Sequence, residues 1–287
     1  MQLHRFDNIQ EFWHCTQDYL LRHQVENNVL LSILYTLLHN PERYLGKPYL
    51  AIVQTSGEIL AVAIRTPPQK LILSKAQNMD ALRLIAQDLC QEQLPGSMGL
   101  AKEAEIFSQT WQALTGQFYQ RSLVMKIYQL TAVQRVSMSR GYLRLATESD
   151  RSLLIKWLSA FFSEIDEVVS EDVEHQVNNR LKQQNTYLWV DSTPVSVASS
   201  KQLLPTIGRI NLAYTPPEYR RQGYATTCVA ALSQKLLDQG CRHCFLIADL
   251  ANPTANHIYQ AIGYRPICDW HEYSFKVNEY SYGKLML

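Results

Sequence analysis

The 287-residue sequence predicts an α+β protein with a mixed α/β sheet, arranged as two tandem units of the same architecture. Three observations predict it. The order strand, two helices, two or three strands, helix, strand, helix, strand can be read twice, once on each side of the polar stretch "TAVQRVSMSRG" at 131–141. "YLAIVQ" and "EILAVAIR" flank "TSG", which is the signature of an antiparallel hairpin. "CFLIAD" at 244–249 is instead a continuous apolar run, as a buried parallel strand requires. The expected division is therefore 1–130, a linker at 131–141 and 142–287.

In the first half, apolar periodicity gives helices at about 8–24 and 27–39, ended by "HNPE". The hairpin follows, then "LILS" as a third strand and the helix "DALRLIAQDLCQ". "PGSMG" reads as a break, 101–115 as a helix and "RSLVMKIYQL" as a long strand. In the second half, "YLRLA" is a strand and "DRSLLIKWLSAFF" a helix. "SEDVEHQVNNRLKQQ" is a second helix, with Ser170 as its expected cap. "TYLWV" and "VSVASS" surround the turn "DSTP", and "IGRINLAY" is the next strand.

Composition narrows the function. Lys+Arg (27) and Asp+Glu (26) nearly cancel, so no global field recruits nucleic acid or an anionic membrane. The longest apolar run, "VLLSILYTLL" at 29–38, is shorter than the roughly 20 residues of a bilayer span and reads as a buried helix. "MQLHRFDNIQ" has no secretory apolar stretch, so a cytoplasmic location with reduced thiols is expected. The six cysteines are too sparse for a disulfide scaffold. "CRHC" at 241–244 has no second pair to complete about four zinc ligands, so no metal site is expected. Cys244 reads as a small buried residue, with Cys241 in the turn before it.

The informative stretch is "TPPEYRRQGYAT" at 215–226. Pro216 and Pro217 cannot donate to a ladder, so the strand "INLAY" must stop. After Gly223, Ala225, Val229, Leu232 and Leu236 mark one face of a helix that Gly240 ends. A strand, tight loop and helix result, with unpaired N–H groups gathered at the positive helix start and a glycine that lets a ligand reach the backbone. That geometry suits a pyrophosphate; a plain connection with surface arginines is the competing reading.

The spacing Arg220-x-x-Gly223-x-Ala225 resembles the Arg/Gln-x-x-Gly-x-Gly/Ala signature of the Gcn5-related N-acetyltransferases. "DLANPTANHIYQAIGY" at 249–264 resembles the family's second segment: a strand, an Asn, a short helix with Tyr, then Gly-Tyr. The resemblance is specific for about 207–275 and architectural before 142, where "LSKAQNMDALRL" lacks the phosphate loop. It implies the acyl-CoA N-acyltransferase (GNAT) fold in tandem, with a degenerate first half. It implies acetyl-CoA as cosubstrate and a small-molecule or peptide amine as acceptor. Arg220, Arg221, Gln222, Gly223, Tyr224 and Ala225 would hold the pyrophosphate. The backbone of Ala213, Tyr214 and Thr215 would bond the pantetheine arm between two splayed strands. Asn252 would touch the coenzyme, and Tyr259 would serve the departing sulfur as catalytic acid. A main-chain N–H near Ala213 would face the developing oxyanion. Among Glu164, Asp166, Glu167, Asp249, His271 and Glu272 the sequence does not single out a general base. The alternatives are a non-catalytic acyl-CoA sensor and an interaction protein without coenzyme.

Overall fold

The computed structural model describes residues 1–44, 46–165, 172–204 and 206–276. The elements of the first half run β1 (Gln2–Arg5), α1 (Ile9–Arg22), α2 (Asn28–His39), β2 (Tyr49–Thr55), β3 (Glu58–Arg65), β4 (Leu71–Leu73), α3 (Asp80–Leu89), β5 (Gly96–Leu100), α4 (Ala101–Thr115) and β6 (Phe118–Leu130). The second half repeats that order. It runs β7 (Tyr142–Leu145), α5 (Arg151–Glu164), α6 (Val173–Lys182), β8 (Thr186–Asp191), β9 (Thr193–Leu204), β10 (Ile207–Tyr214), α7 (Tyr224–Asp238), β11 (His243–Asp249), α8 (Pro253–Ile262) and β12 (Arg265–Lys276).

The chain forms two compact units whose boundaries differ from the expected division. Of the described residues, the first holds those up to Ile127, Asp249–Ala251 and Ile267–Lys276; the second holds those of Tyr128–Ala248 and Asn252–Pro266. The reason for the first difference is strand pairing. β12 lies antiparallel to β5, with Trp270 opposite Leu100 and Ser274 opposite Gly96, so the last strand completes the first unit's sheet. The reason for the second is docking of 131–141, which has neither helix nor strand. Val133 and Val136 pack on the second unit's core, the Trp189 Nε1–H donates to the Arg140 carbonyl at 2.9 Å, and the Gln134 N–H donates to the Ile262 carbonyl at 2.8 Å.

The expected break at "PGSMG" is a correction, because all of it but Pro95 lies in β5, parallel to β4 and antiparallel to β12. Its glycines mark close approach rather than a turn. A Cβ on Gly96 would come within 2.0 Å of the Tyr273 carbonyl oxygen, and one on Gly99 within 3.2 Å of Leu73. Ser170 lies outside the described residues. The helix it was expected to cap starts at Val173, where the Asp172 carboxylate accepts the Glu174 N–H.

In the second unit, β7 to β10 form an antiparallel sheet and β11 joins β10 in parallel. One face packs under α7 and α8 through Val229, Leu232, Leu236 and Ile262; the other packs under α5 and α6 through Leu154, Trp157, Leu158 and Val177. The entry to α5 is fixed by Arg144, whose guanidinium makes two parallel 2.7 Å bonds to the buried Asp150 carboxylate. Asp150 also accepts the Thr147 N–H, and the Arg144 bond holds its carboxyl below the usual aspartate range.

A depressed carboxyl pKa adds stability that is present above the unfolded value of about 3.9 and lost as pH falls through the folded one. Asp150→Asn is therefore expected to cost about 2 kcal/mol at pH 7 by leaving the half-buried Arg144 poorly paired. Urea unfolding should show the gap from wild type narrowing below about pH 4.

Candidate functional site

β10 and β11 pair only at Ile207–His243, Gly208–Cys244 and Arg209–Phe245. Among the described residues β10 has no pairing with β11 beyond Arg209, so the two strands part there. On its other side β10 stays bonded to β9 through Tyr214, with an extra residue, Asn211, between Ile210 and Leu212. This bulge exchanges faces. Ile210 packs in the core beneath α7, whereas Leu212 and Tyr214 pack beneath α5 and α6.

After β10 the chain turns as the two prolines require. A 3-10 turn at Pro217–Tyr219 is closed by the Tyr219 N–H donating to the Pro216 carbonyl at 2.9 Å. Arg221 and Gly223 both take left-handed backbone, with φ of 61° and 81°. Gly223 occupies the cap position of α7 and has no side-chain oxygen to offer. The first hydrogen bond of α7 runs from the Thr227 N–H to the Gly223 carbonyl at 3.0 Å. Among the described residues, the N–H groups of 221–226 have no protein acceptor. Six donors at the positive end of a 15-residue helix form an anion cradle.

Ser139 holds the cradle from behind. Its hydroxyl donates to the Gln222 carbonyl at 2.8 Å, and its N–H donates to the Thr227 Oγ1 at 2.9 Å. A Cβ on Gly223 would sit 2.8 Å from the same hydroxyl. The Tyr224 ring is anchored by its hydroxyl donating to Asp191 at 2.6 Å, which leaves its N–H for the cradle. Ala225 is half-buried in the first turn.

The two arginines behave differently. Arg220 turns back: its Nε donates to the Thr215 carbonyl at 2.9 Å, one terminal nitrogen lies 2.7 Å from both Glu164 oxygens, and its guanidinium lies 5.7 Å from the Tyr214 ring centre. The Tyr214 hydroxyl also donates to Glu164, at 3.1 Å. The Arg221 side chain is exposed and makes no hydrogen bond or ion pair among the described residues. Of the expected strand contacts, the Tyr214 carbonyl accepts the Ser196 hydroxyl at 3.2 Å, and Ala213 is half-buried beside the opening.

Asn252 caps α8, its Oδ1 accepting the Ala255 N–H at 3.0 Å, and Pro253 follows at the first helical position. Gly263 ends the helix at φ 112°, and the Tyr264 N–H returns to the Tyr259 carbonyl. Tyr259 packs between the Tyr128 and Tyr264 rings, at 6.4 and 6.1 Å. Its hydroxyl has no hydrogen bond with any described residue, and burial pushes its pKa up to about 12. The group is a neutral O–H donor without a protein acceptor.

Of the six acids and bases left open by the sequence, Asp166 and Glu167 lie outside the described residues. Glu164 is held by Arg220. Asp249, His271 and Glu272 belong to the first unit, where Glu272 pairs with Lys70. Cys241 and Cys244 are buried thiols whose pKa values burial raises, and no cluster of three metal-ligating side chains occurs among the described residues. No helix among them is long and apolar enough to cross a membrane. Sequence reasoning missed Ser139, which lies in a stretch without period, and Arg209, which was visible only as one charge inside a strand.

Residues 152–264 match the model of the acetyltransferase (GNAT) family, a span that contains both the cradle and Tyr259. No curated protein matches the sequence. The fold is that of solved GNAT proteins. It is similar to an acetyltransferase of the GNAT family from Colwellia psychrerythraea (TM-score 0.60, 11% identity, 96% of this chain and 100% of that one). It is also similar to a tandem GNAT protein from the clavulanic acid biosynthesis pathway (TM-score 0.57, 9% identity, 96% and 98%). A GCN5-related N-acetyltransferase from Sphaerobacter thermophilus aligns over 85% of this chain and 84% of its own (TM-score 0.56, 12% identity). Residues 152–264 thus match the acetyltransferase (GNAT) family model, and the fold over nearly the whole chain is that of solved GNAT proteins, one of them described as a tandem GNAT protein.

Proposed function

We propose that the second unit is an N-acetyltransferase that moves an acetyl group from acetyl-CoA to a primary amine by direct attack. The observation that carries this reading is the set of unengaged N–H groups at 221–226, which follow the part of β10 that has left β11. Those donors, with Arg221, fit a pyrophosphate. Arg220 can join them by leaving Glu164, since both side chains are about half exposed and their pair is weakly held in water. The opening between β10 and β11 fits an extended arm that bonds Ala213, Tyr214 and Thr215 as an added strand would. Acetyl-CoA supplies the activated acyl carbon and a thiolate leaving group.

The acceptor nitrogen bonds to the acyl carbon as the carbon–sulfur bond breaks. A main-chain N–H near Ala213 meets the oxyanion that develops. Tyr259 gives its hydroxyl hydrogen to the departing sulfur and is reprotonated by the hydrogen the amine loses, so that the net products are an amide and a thiol. Burial keeps the hydroxyl protonated, and with no partner in the protein its hydrogen is free for that transfer. Glu164, with both oxygens on Arg220, is better suited to holding the loop than to accepting a proton.

Coenzyme A at millimolar concentration is expected to raise the melting temperature, and a screen of amines with acetyl-CoA, read by thiol release and mass gain, should yield an acetylated amine. No thermal shift would remove the cradle from the reading. Tyr259→Phe should leave stability within about 0.5 kcal/mol, because the lost hydroxyl bonds nothing. It should also spare coenzyme binding and lower turnover by about 10²-fold or more. Unchanged turnover would retire Tyr259. With its pKa near 12, Tyr259 should put no alkaline limb on the rate profile below about pH 11. Gly223→Ala forces a Cβ into left-handed backbone and against Ser139. It should cost about 1–2 kcal/mol in urea unfolding and weaken coenzyme A at least tenfold by calorimetric titration.

A further inference from the structure

Arg209 has no use in the machinery described so far. Its Nε is sealed from solvent without an acceptor, and among the described residues its guanidinium forms no hydrogen bond or ion pair. Burial lowers its pKa to about 10, and no carboxylate offsets that effect, so the group remains a cation at neutral pH. Its cross-strand neighbour on β9 is Lys201, a second cation, which adds no compensation. A partly desolvated charge without a counter-ion weakens the ligand-free protein. Keeping one makes sense where a ligand brings the missing anion.

The direction of the side chain says which ligand. Gly208 and Ile210, on either side of Arg209, face α7: a Cβ on Gly208 would lie 3.0 Å from Leu236, and Ile210 packs with Val229 and Leu232. By strand alternation Arg209 points to the opposite face, the one that carries α5 and α6. The pyrophosphate cradle lies at the other end of β10, beyond Tyr214, so the coenzyme's own phosphates are not the partner. Arg209 is also the last residue of β10 to pair with β11, at the foot of the opening.

We propose that Arg209 is a preformed site for the carboxylate of the amine acceptor, making the acceptor an amino acid or an acidic peptide rather than a simple amine. The inference rests on the acetyltransferase reading above. Guanidinium and carboxylate match as a planar fork, which gives selectivity as well as binding. Arg209 and Ala213 are four positions apart, about 13 Å along an extended strand, of which the arginine side chain spans a part. The spacing favours acceptors whose amine and carboxylate are several bonds apart, as in lysine acetylated on its side-chain amine.

The test compares matched pairs with acetyl-CoA, L-lysine against 1,5-diaminopentane first and then other amino acids against their decarboxylated amines. Wild type should prefer a carboxylate-bearing member at least tenfold in kcat/KM, chiefly through KM. Arg209→Gln should bring that ratio to near one, with Arg209→Lys intermediate. Because the variant removes an unpaired charge, its melting temperature should equal or exceed that of wild type; a fall of several degrees would mean that the arginine holds the fold and would overturn the proposal. A preference that survives Arg209→Gln, or no preference in wild type, would also overturn it. A second readout does not depend on turnover: the sealed Nε–H should give a protected ¹⁵N-correlated proton signal that shifts with the carboxylate member and not with its decarboxylated pair. If coenzyme A gives no thermal shift, the acetyltransferase reading fails, and this signal still decides whether Arg209 binds a carboxylate. No shift with any carboxylate sinks the site itself.

Discussion

Among the described residues, parallel pairing between β10 and β11 lasts for three residues and then ends, and the proposed chemistry of the second unit depends on that ending. A buried parallel strand ordinarily has both edges satisfied. β10 keeps one edge on β9 through Tyr214 and gives up the other after Arg209. The Asn211 bulge then turns Leu212 and Tyr214 away from the α7 core, so the strand's far half serves the α5 and α6 side. Main-chain groups without partners thereby come from two sources: the freed edge of a strand and the uncapped start of a helix. Neither depends on a particular side chain.

Charge is secondary and adjustable. Arg220 is the motif residue most conspicuous in the sequence, yet it is engaged with Glu164 and the Thr215 carbonyl. The pair links the end of α5 to the loop before α7, and the Tyr214 hydroxyl shares the same carboxylate. Anion binding at the loop by Arg220 would compete with that link, and would thereby couple the position of α5's last turn to occupancy of the loop. The buried pair of Arg144 and Asp150 at the other end of α5 is of a different kind. It is bidentate and sheltered, and it fixes where the helix begins.

Much of this was legible in the sequence because it follows from local rules. The helix after Gly223, its apolar face through Val229, Leu232 and Leu236, the stop at Pro216 and the Asn252 cap all rest on short-range chemistry. The duplicated element order was legible for the same reason. Strand β5 was not, because Gly96 and Gly99 carry the signal of a break. What they serve is the close approach of Tyr273 and Leu73, residues far away or on another strand. Ser139 was invisible because its role consists of two hydrogen bonds to a segment more than 80 residues distant. Arg209 could be seen as a charge in a strand, but the absence of a partner is a property of three dimensions.

The destination of β12 limits how the gene can be divided. A fragment ending near residue 130 would keep every helix of the first unit yet lack the strand that covers β5. It would present the bare backbone of "GSMGL", with no charged side chain to deter pairing with another chain. The complementary fragment would carry "WHEYSF" with no β5 to receive it. Each piece would be predisposed to self-association, and mixing the two would offer the pairing that either alone must find elsewhere.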